Sequence, residues 1–129
     1  MTNLWHYLLA AGLFVAIDSI WLTTMSKRFY RKQIGSLLAA KPNFVAAAIF
    51  YAIYILGIVV FVLNPALEKD SLSFAIGGGA LLGLTMYATY DLTNQATLKK
   101  WPTILTVVDL AWGTFITSLV STLAFLILK

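Results

Sequence analysis

Long uncharged stretches, each set off by a short polar connection, organise this chain. Leu4 to Met25 carries Asp18 as its one formal charge, and Phe44 to Leu63 carries none. Leu72 to Tyr90 is rich in glycine and leads into Asp91, and Thr103 to Leu128 holds only Asp109. Each is close to the roughly 20 residues that cross a hydrocarbon layer about 30 Å thick at about 1.5 Å per residue. The reading is an all-α, polytopic membrane protein, a bundle of four transmembrane helices. Its single domain is residues 1–129, with spans at about 4–25, 44–63, 72–91 and 103–128. The connections are Ser26–Asn43, Asn64–Ser71 and Leu92–Pro102. Pro42, Pro65 and Pro102 sit between the apolar runs and read as helix boundaries, where a missing N–H costs nothing.

Composition agrees. Hydrophobic residues make up 60% of the 129 and charged residues only 11%, against the roughly 25% that wets a soluble domain. Mean hydropathy is +0.87. The first span lacks the basic n-region of a signal peptide, Thr2 rules out N-myristoylation, and no prenylation box is present. With no cysteine, disulfide and thiolate chemistry are excluded.

Charge sets an orientation. Lys27, Arg28, Arg31, Lys32 and Lys41 lie in the first connection and Lys99 and Lys100 in the third. The other side has Lys69, between Glu68 and Asp70, and Lys129. The positive-inside rule makes the first side cytoplasmic and puts both termini outside. The net charge of +4 then needs no nucleic acid, because topology and anionic headgroups account for it. Lys27, Arg28, Arg31 and Lys32 recur at helical spacing, while Tyr30, Ile34, Leu37 and Leu38 fall on another face. A short helix in the headgroup layer is expected, either as a plain topology signal or as an anionic-lipid or phosphorylated-ligand site, with Arg28, Arg31 and Lys32 as the headgroup contacts.

Three aspartates carry the chemical information. Asp18 precedes Lys27 by nine residues and Asp109 follows Lys100 by nine, so both carboxyls lie about 13 Å from the basic side. Asp91 reaches a similar level if the third helix continues through Leu98, although Asp91-Leu-Thr-Asn-Gln is polar enough to unwind. A charged aspartate at mid-helix costs about 2.5–3.5 kcal/mol on insertion scales, so it belongs in the bundle or a wet cavity. The spans hold no lysine or arginine, and His6 lies at the opposite mouth. The carboxyls must therefore hold protons, accept hydrogen bonds, reach water, or bind a cation from outside.

Local spacing supports convergence. Asp18-Ser-Ile-Trp21 and Asp109-Leu-Ala-Trp112 repeat one motif that puts carboxyl and indole on the same helical face. Ala75, Gly79, Gly83, Tyr87 and Asp91 form a stripe at steps of four, and Thr106, Asp109, Gly113, Thr117 and Ser121 form another small or polar stripe. Packed together, they would make a narrow polar seam. A homodimer is expected, with Gly79-x-x-x-Gly83 as a route. The candidate ligand or proton site is Asp18, Trp21, Tyr87, Tyr90, Asp91, Asn94, Asp109 and Trp112. Trp21 and Trp101 also fit an interfacial belt, Trp101 more closely. Tyr51 and Tyr54 read as packing groups, and Gly77-Gly78-Gly79 as helix packing rather than a phosphate loop.

Several segments look familiar together. Asp-x-x-Trp-Leu at 18–22, Phe-Tyr-Arg-Lys-Gln-Ile-Gly at 29–35 and Phe-Tyr-x-x-Tyr at 50–54 come first. Pro-Ala at 65–66, Tyr-x-x-Tyr-Asp-Leu-Thr-Asn-x-Ala-Thr-Leu-Lys at 87–99, Trp-Pro at 101–102 and Asp-x-x-Trp-Gly at 109–113 follow in order. The chain resembles, over nearly its whole length, the bacterial membrane family catalogued as domain of unknown function 2177. The resemblance implies a multi-pass protein of the bacterial inner membrane and supplies no activity.

Three functions compete. The favoured one is proton- or cation-linked binding or transport of a small or lipidic molecule at the carboxyl site. The second is a membrane enzyme acting on a lipid or isoprenoid with an aspartate as acid or base. It lacks a histidine box, an Asp-rich magnesium motif, a nucleophile–base pair and a cofactor fingerprint. No metal and no cofactor are therefore expected. The third is a structural or partner-binding subunit whose polar groups only hold helices together.

Overall fold

The structure, a computed structural model, describes residues 2–38, 41 and 43–129. Helix α1 (Thr2–Met25) runs through a wide π turn at Ser26–Tyr30 into the single turn α2 (Arg31–Ile34), then tightens to a 3-10 turn at Gly35–Leu37. Helix α3 (Phe44–Ile58), a π turn at Val59–Leu63 and α4 (Asn64–Lys69) form one continuous rod. Helices α5 (Leu72–Thr97) and α6 (Thr103–Leu128) complete the chain. Among the described residues there is no strand. Four helical segments are long and apolar enough to cross a membrane: Asn3–Met25, Phe44–Lys69, Leu72–Thr97 and Thr103–Leu128.

Side-chain caps mark the starts. Asn43 accepts the Ala46 N–H at 3.1 Å ahead of α3, and Ser71 accepts the Phe74 N–H at 3.0 Å ahead of α5. Between α4 and α5 the chain reverses at Asp70, which is left-handed at φ 47°. The Ser71 N–H reaches the Ala66 carbonyl at 3.0 Å there, closing the end of α4 in a Schellman turn.

Two boundaries differ from the sequence reading. Pro65 does not end a helix. It follows the π turn, in which the Asn64 N–H bonds to the Val59 carbonyl, and this wider turn gives the proline ring room in an unbroken rod. Pro102 is a boundary, extended immediately before α6, while Pro42 lies outside the described residues. The polar run after Asp91 does not unwind. The Thr97 hydroxyl donates back to the Thr93 carbonyl at 2.8 Å, and Gln95 Nε2 reaches the Thr103 hydroxyl at 2.7 Å, tying the end of α5 to the start of α6.

The first connection also departs from expectation. It extends α1 rather than forming a separate helix, and its apolar face is split. Tyr30 and Ile34 turn inward, but at Ile34 the backbone leaves the helix (φ −133°, ψ 25°), so Leu37 and Leu38 end up exposed. Arg28, Arg31 and Lys32 are exposed.

The core has two parts. The larger joins Phe14 of α1, Tyr54, Ile58 and Leu63 of the α3–α4 rod, Ala75 of α5, and Ile116, Val120 and Phe125 of α6. In chain order these lie towards the end of the bundle opposite the basic connections. A smaller cluster of Ile34, Trp101 and Leu105 closes the basic end. Trp101 is thus buried, not a belt residue, and its indole N–H donates to the Thr106 hydroxyl at 3.1 Å. Large apolar side chains such as Ile20, Val45, Phe61 and Leu81 face outward, as lipid requires.

Candidate functional site

Close contact between α5 and α6 sets the frame. A Cβ on Gly79 would stand 2.8 Å from Ser118 Cα, and one on Gly83 would stand 2.2 Å from the Gly113 carbonyl oxygen. One on Gly113 would strike the Tyr87 ring at 2.2 Å. Only glycine fits at these three points. The expected seam is present: Ala75, Gly79, Gly83 and Asp91 of α5 are buried, as are Thr106, Asp109, Gly113, Thr117 and Ser121 of α6. The Tyr54 hydroxyl closes it from α3 by bonding to Thr117. The Gly79-x-x-x-Gly83 face is therefore occupied inside the chain, and a second copy could not use it without displacing α6.

Between the two apolar clusters lies a cavity of about 500 Å³. Asp18, Trp21, Tyr87, Tyr90, Asp109 and Trp112 line it, so six of the eight candidate residues come together. Asp18 and Asp109 are both buried. The two Asp-x-x-Trp motifs engage crosswise. Because α1 and α6 run antiparallel, each indole lies level with the carboxyl of the other helix. Trp112 Nε1 donates to Asp18 Oδ1 at 3.2 Å. Trp21 Nε1 donates to the Tyr30 hydroxyl at 3.0 Å, and that hydroxyl donates to Asp109 Oδ1 at 2.7 Å. The two indoles stack with centroids 4.1 Å apart and planes 7° from parallel.

Asp91 does not line the cavity. It is fully buried behind Asp109, and apart from that carboxyl neighbour neither of its oxygens has a hydrogen-bond partner. Asn94 lies further along α5, half-buried beside Tyr90, and is also outside the lining. Among the described residues, no three His, Cys, Asp or Glu side chains are spaced to hold a metal ion.

Tyr30 and Tyr51 belong to the site although neither was among the candidates. Tyr51, half-buried on α3, lies beside Asp18. Tyr30 sits just past the first span, where burial first, and then the Asp109 carboxylate, push its hydroxyl well above the usual phenol range. It therefore keeps its proton and remains a donor. A signal for it exists in the sequence: Asp18, Leu22, Ser26, Tyr30, Ile34 and Leu38 recur at steps of four, and all six line the cavity. Ending the helix at Met25 hides that continuity. Tyr51 has no comparable signal.

A second hollow of about 480 Å³ lies on the outer side of α5 and α6 among Ala80, Leu84, Leu110 and Phe115, and it holds no titratable group. No match to the chain was found among curated proteins or among solved structures. The residues that build the seam and the cavity, and all of the spans but the last two residues of the fourth, fall within one family match, and on it the chain belongs to the family described as Predicted membrane protein (DUF2177), matched over residues 3–126.

Proposed function

We propose that this protein binds a small or lipidic cation at Asp18 and Asp109, with linked proton exchange, as part of its transport. One observation carries the reading. Two buried carboxyls share an aromatic-walled cavity, and their hydrogen-bond donors are a tyrosine and a tryptophan, neither of which brings positive charge. The faces of Trp21, Trp112, Tyr87 and Tyr90 suit an organic ammonium, since desolvated cation–π contacts are worth about 2 kcal/mol. The orphaned oxygens of Asp91 support placing a proton there, because a buried carboxylate without donors is strongly disfavoured. In this scheme Asp109 links the ligand to the proton held on Asp91. The setting is the bacterial cytoplasmic membrane, basic end inward, with Arg28, Arg31 and Lys32 among anionic headgroups.

The test is titration of purified protein, in neutral maltoside micelles, with alkyltrimethylammonium ions while tryptophan emission is followed. Saturable change is expected in the wild type and is lost in Asp18→Asn and in Asp109→Asn. Asp91→Asn keeps the affinity but removes the proton exchange that calorimetry detects as a dependence on buffer ionisation heat. A purely structural role has one observation in its favour, the cross-bonded indole pair that already ties α1 to α6. Asparagine still accepts those hydrogen bonds, so an unchanged titration in both single variants would establish the structural role instead.

A further inference from the structure

Helix α3 touches the bundle along only part of its length. From Phe44 to Ile53 not one residue is buried, whereas Tyr54, Ile55, Gly57 and Ile58 all are. The first half of α3 therefore stands off the bundle on the side of the basic end. That half is also a wall of the cavity, through Phe50 and Tyr51, and Met86 and Tyr90 of α5 form the facing wall. Leu22, Phe50 and Tyr90 line the cavity yet are 42%, 48% and 57% exposed, and Ser26 and Leu38 are exposed lining residues nearer the basic end. Phe50 lies six residues into its span, about 9 Å along the helix, so the opening leads sideways into hydrocarbon.

Charge points to the same route. Arg28, Arg31 and Lys32 are exposed on the segment whose Ser26, Tyr30 and Ile34 line the cavity. A cation arriving through water at that end meets a positive field, whereas one dissolved in the bilayer does not. The occupant must then be cationic where it meets Asp18 and Asp109 and apolar where it passes Phe50 and Met86. Met86 suits such a gap, because its unbranched thioether repacks around chains of different shape.

Building on the cation-binding reading above, we infer that the ligand is a single-chain lipophilic amine or quaternary ammonium that enters from the bilayer between the first half of α3 and α5. Its head occupies the aromatic, acidic cavity and its tail leaves through the gap.

The experiment compares tetramethylammonium with dodecyltrimethylammonium, both titrated into the full chain in maltoside micelles, with the Asp18→Asn, Asp109→Asn double variant reporting micelle partitioning. The long chain is expected to bind at least about tenfold tighter after that correction, the effect of burying about two methylenes. Because the chain has no cysteine, a fluorophore can be placed at Phe50→Cys or, on the outer face, at Leu81→Cys. A dodecyltrimethylammonium carrying a nitroxide on its tail should quench the first saturably and in a carboxyl-dependent way, and the second only in proportion to its micellar concentration. Equal, carboxyl-dependent affinity for both ions overturns the lipophilic-chain inference and leaves cation binding standing. Tight binding of the long chain with no difference in quenching between the two positions overturns the portal. Binding of neither ion removes both this inference and the reading beneath it.

Discussion

Trp112 and Tyr30 do for the two cavity carboxyls what a lysine or arginine does in most proteins, but without bringing charge. Each supplies one donor, so the acids are oriented without a cationic partner. Trp112→Phe keeps a ring in the stack but drops the donor to Asp18. It is expected to weaken alkyltrimethylammonium binding about 2- to 10-fold, the size of one net hydrogen bond, in the same emission titration. Tyr30→Phe should act in the same direction at Asp109 and also strand the Trp21 N–H. Because the Tyr30 hydroxyl is pushed up in the folded protein, its contribution to stability is complete below about pH 10, where the free phenol titrates. That contribution is lost only as pH rises through the shifted value. Melting temperatures of wild type and Tyr30→Phe should therefore differ at pH 7 and converge in strong alkali.

Helices α5 and α6 are held at backbone contact by glycines, so their pairing is the most extensive in the bundle. Gly113 is the critical position, because Tyr87 lies flat where its side chain would be. Gly113→Ala and Gly83→Ala force the helices apart, and overpacking of this kind costs about 1–3 kcal/mol or more. Gly12 and Gly77 have nothing within 4 Å of an added Cβ. Gly12→Ala and Gly77→Ala should melt with the wild type in maltoside, while the first pair melts several degrees lower. The same contacts fix the rotation of α6 that turns Asp109 and Trp112 into the cavity. A Gly113→Ala protein that remains folded should therefore also bind ammonium more weakly.

Across the molecule, one apolar cluster lies towards the end near the termini and a smaller one at the basic end, with the acids in the layer between. Such an arrangement favours access from the side over a straight aqueous pore. Its placement in the membrane is open to a direct check. In intact bacteria, an impermeant maleimide should label Ser73→Cys and not Ser36→Cys, since the basic end is expected to face the cytoplasm.

The membrane assignment was legible residue by residue, because transfer free energy adds along a helix and needs no knowledge of neighbours. The common level of Asp18 and Asp109 in the bundle was equally legible, since rise per residue is constant. Helix ends were less so. Pro65 read as a stop and the polar run after Asp91 as a break, yet a π turn absorbed the one and threonine hydroxyls bonding back to carbonyls carried the helix through the other. Which indole serves which carboxyl depends on how α1 and α6 are rotated against each other, and of the two only the rotation of α6 is fixed by glycine contacts, those it makes with α5. Tyr51 joins the site where α3 packs against α1, beside Phe14 and Asp18, and Asp91 withdraws behind Asp109 where α5 packs against α6. Those pairings are properties of packing between segments far apart in the chain, so no periodicity within one segment encodes them.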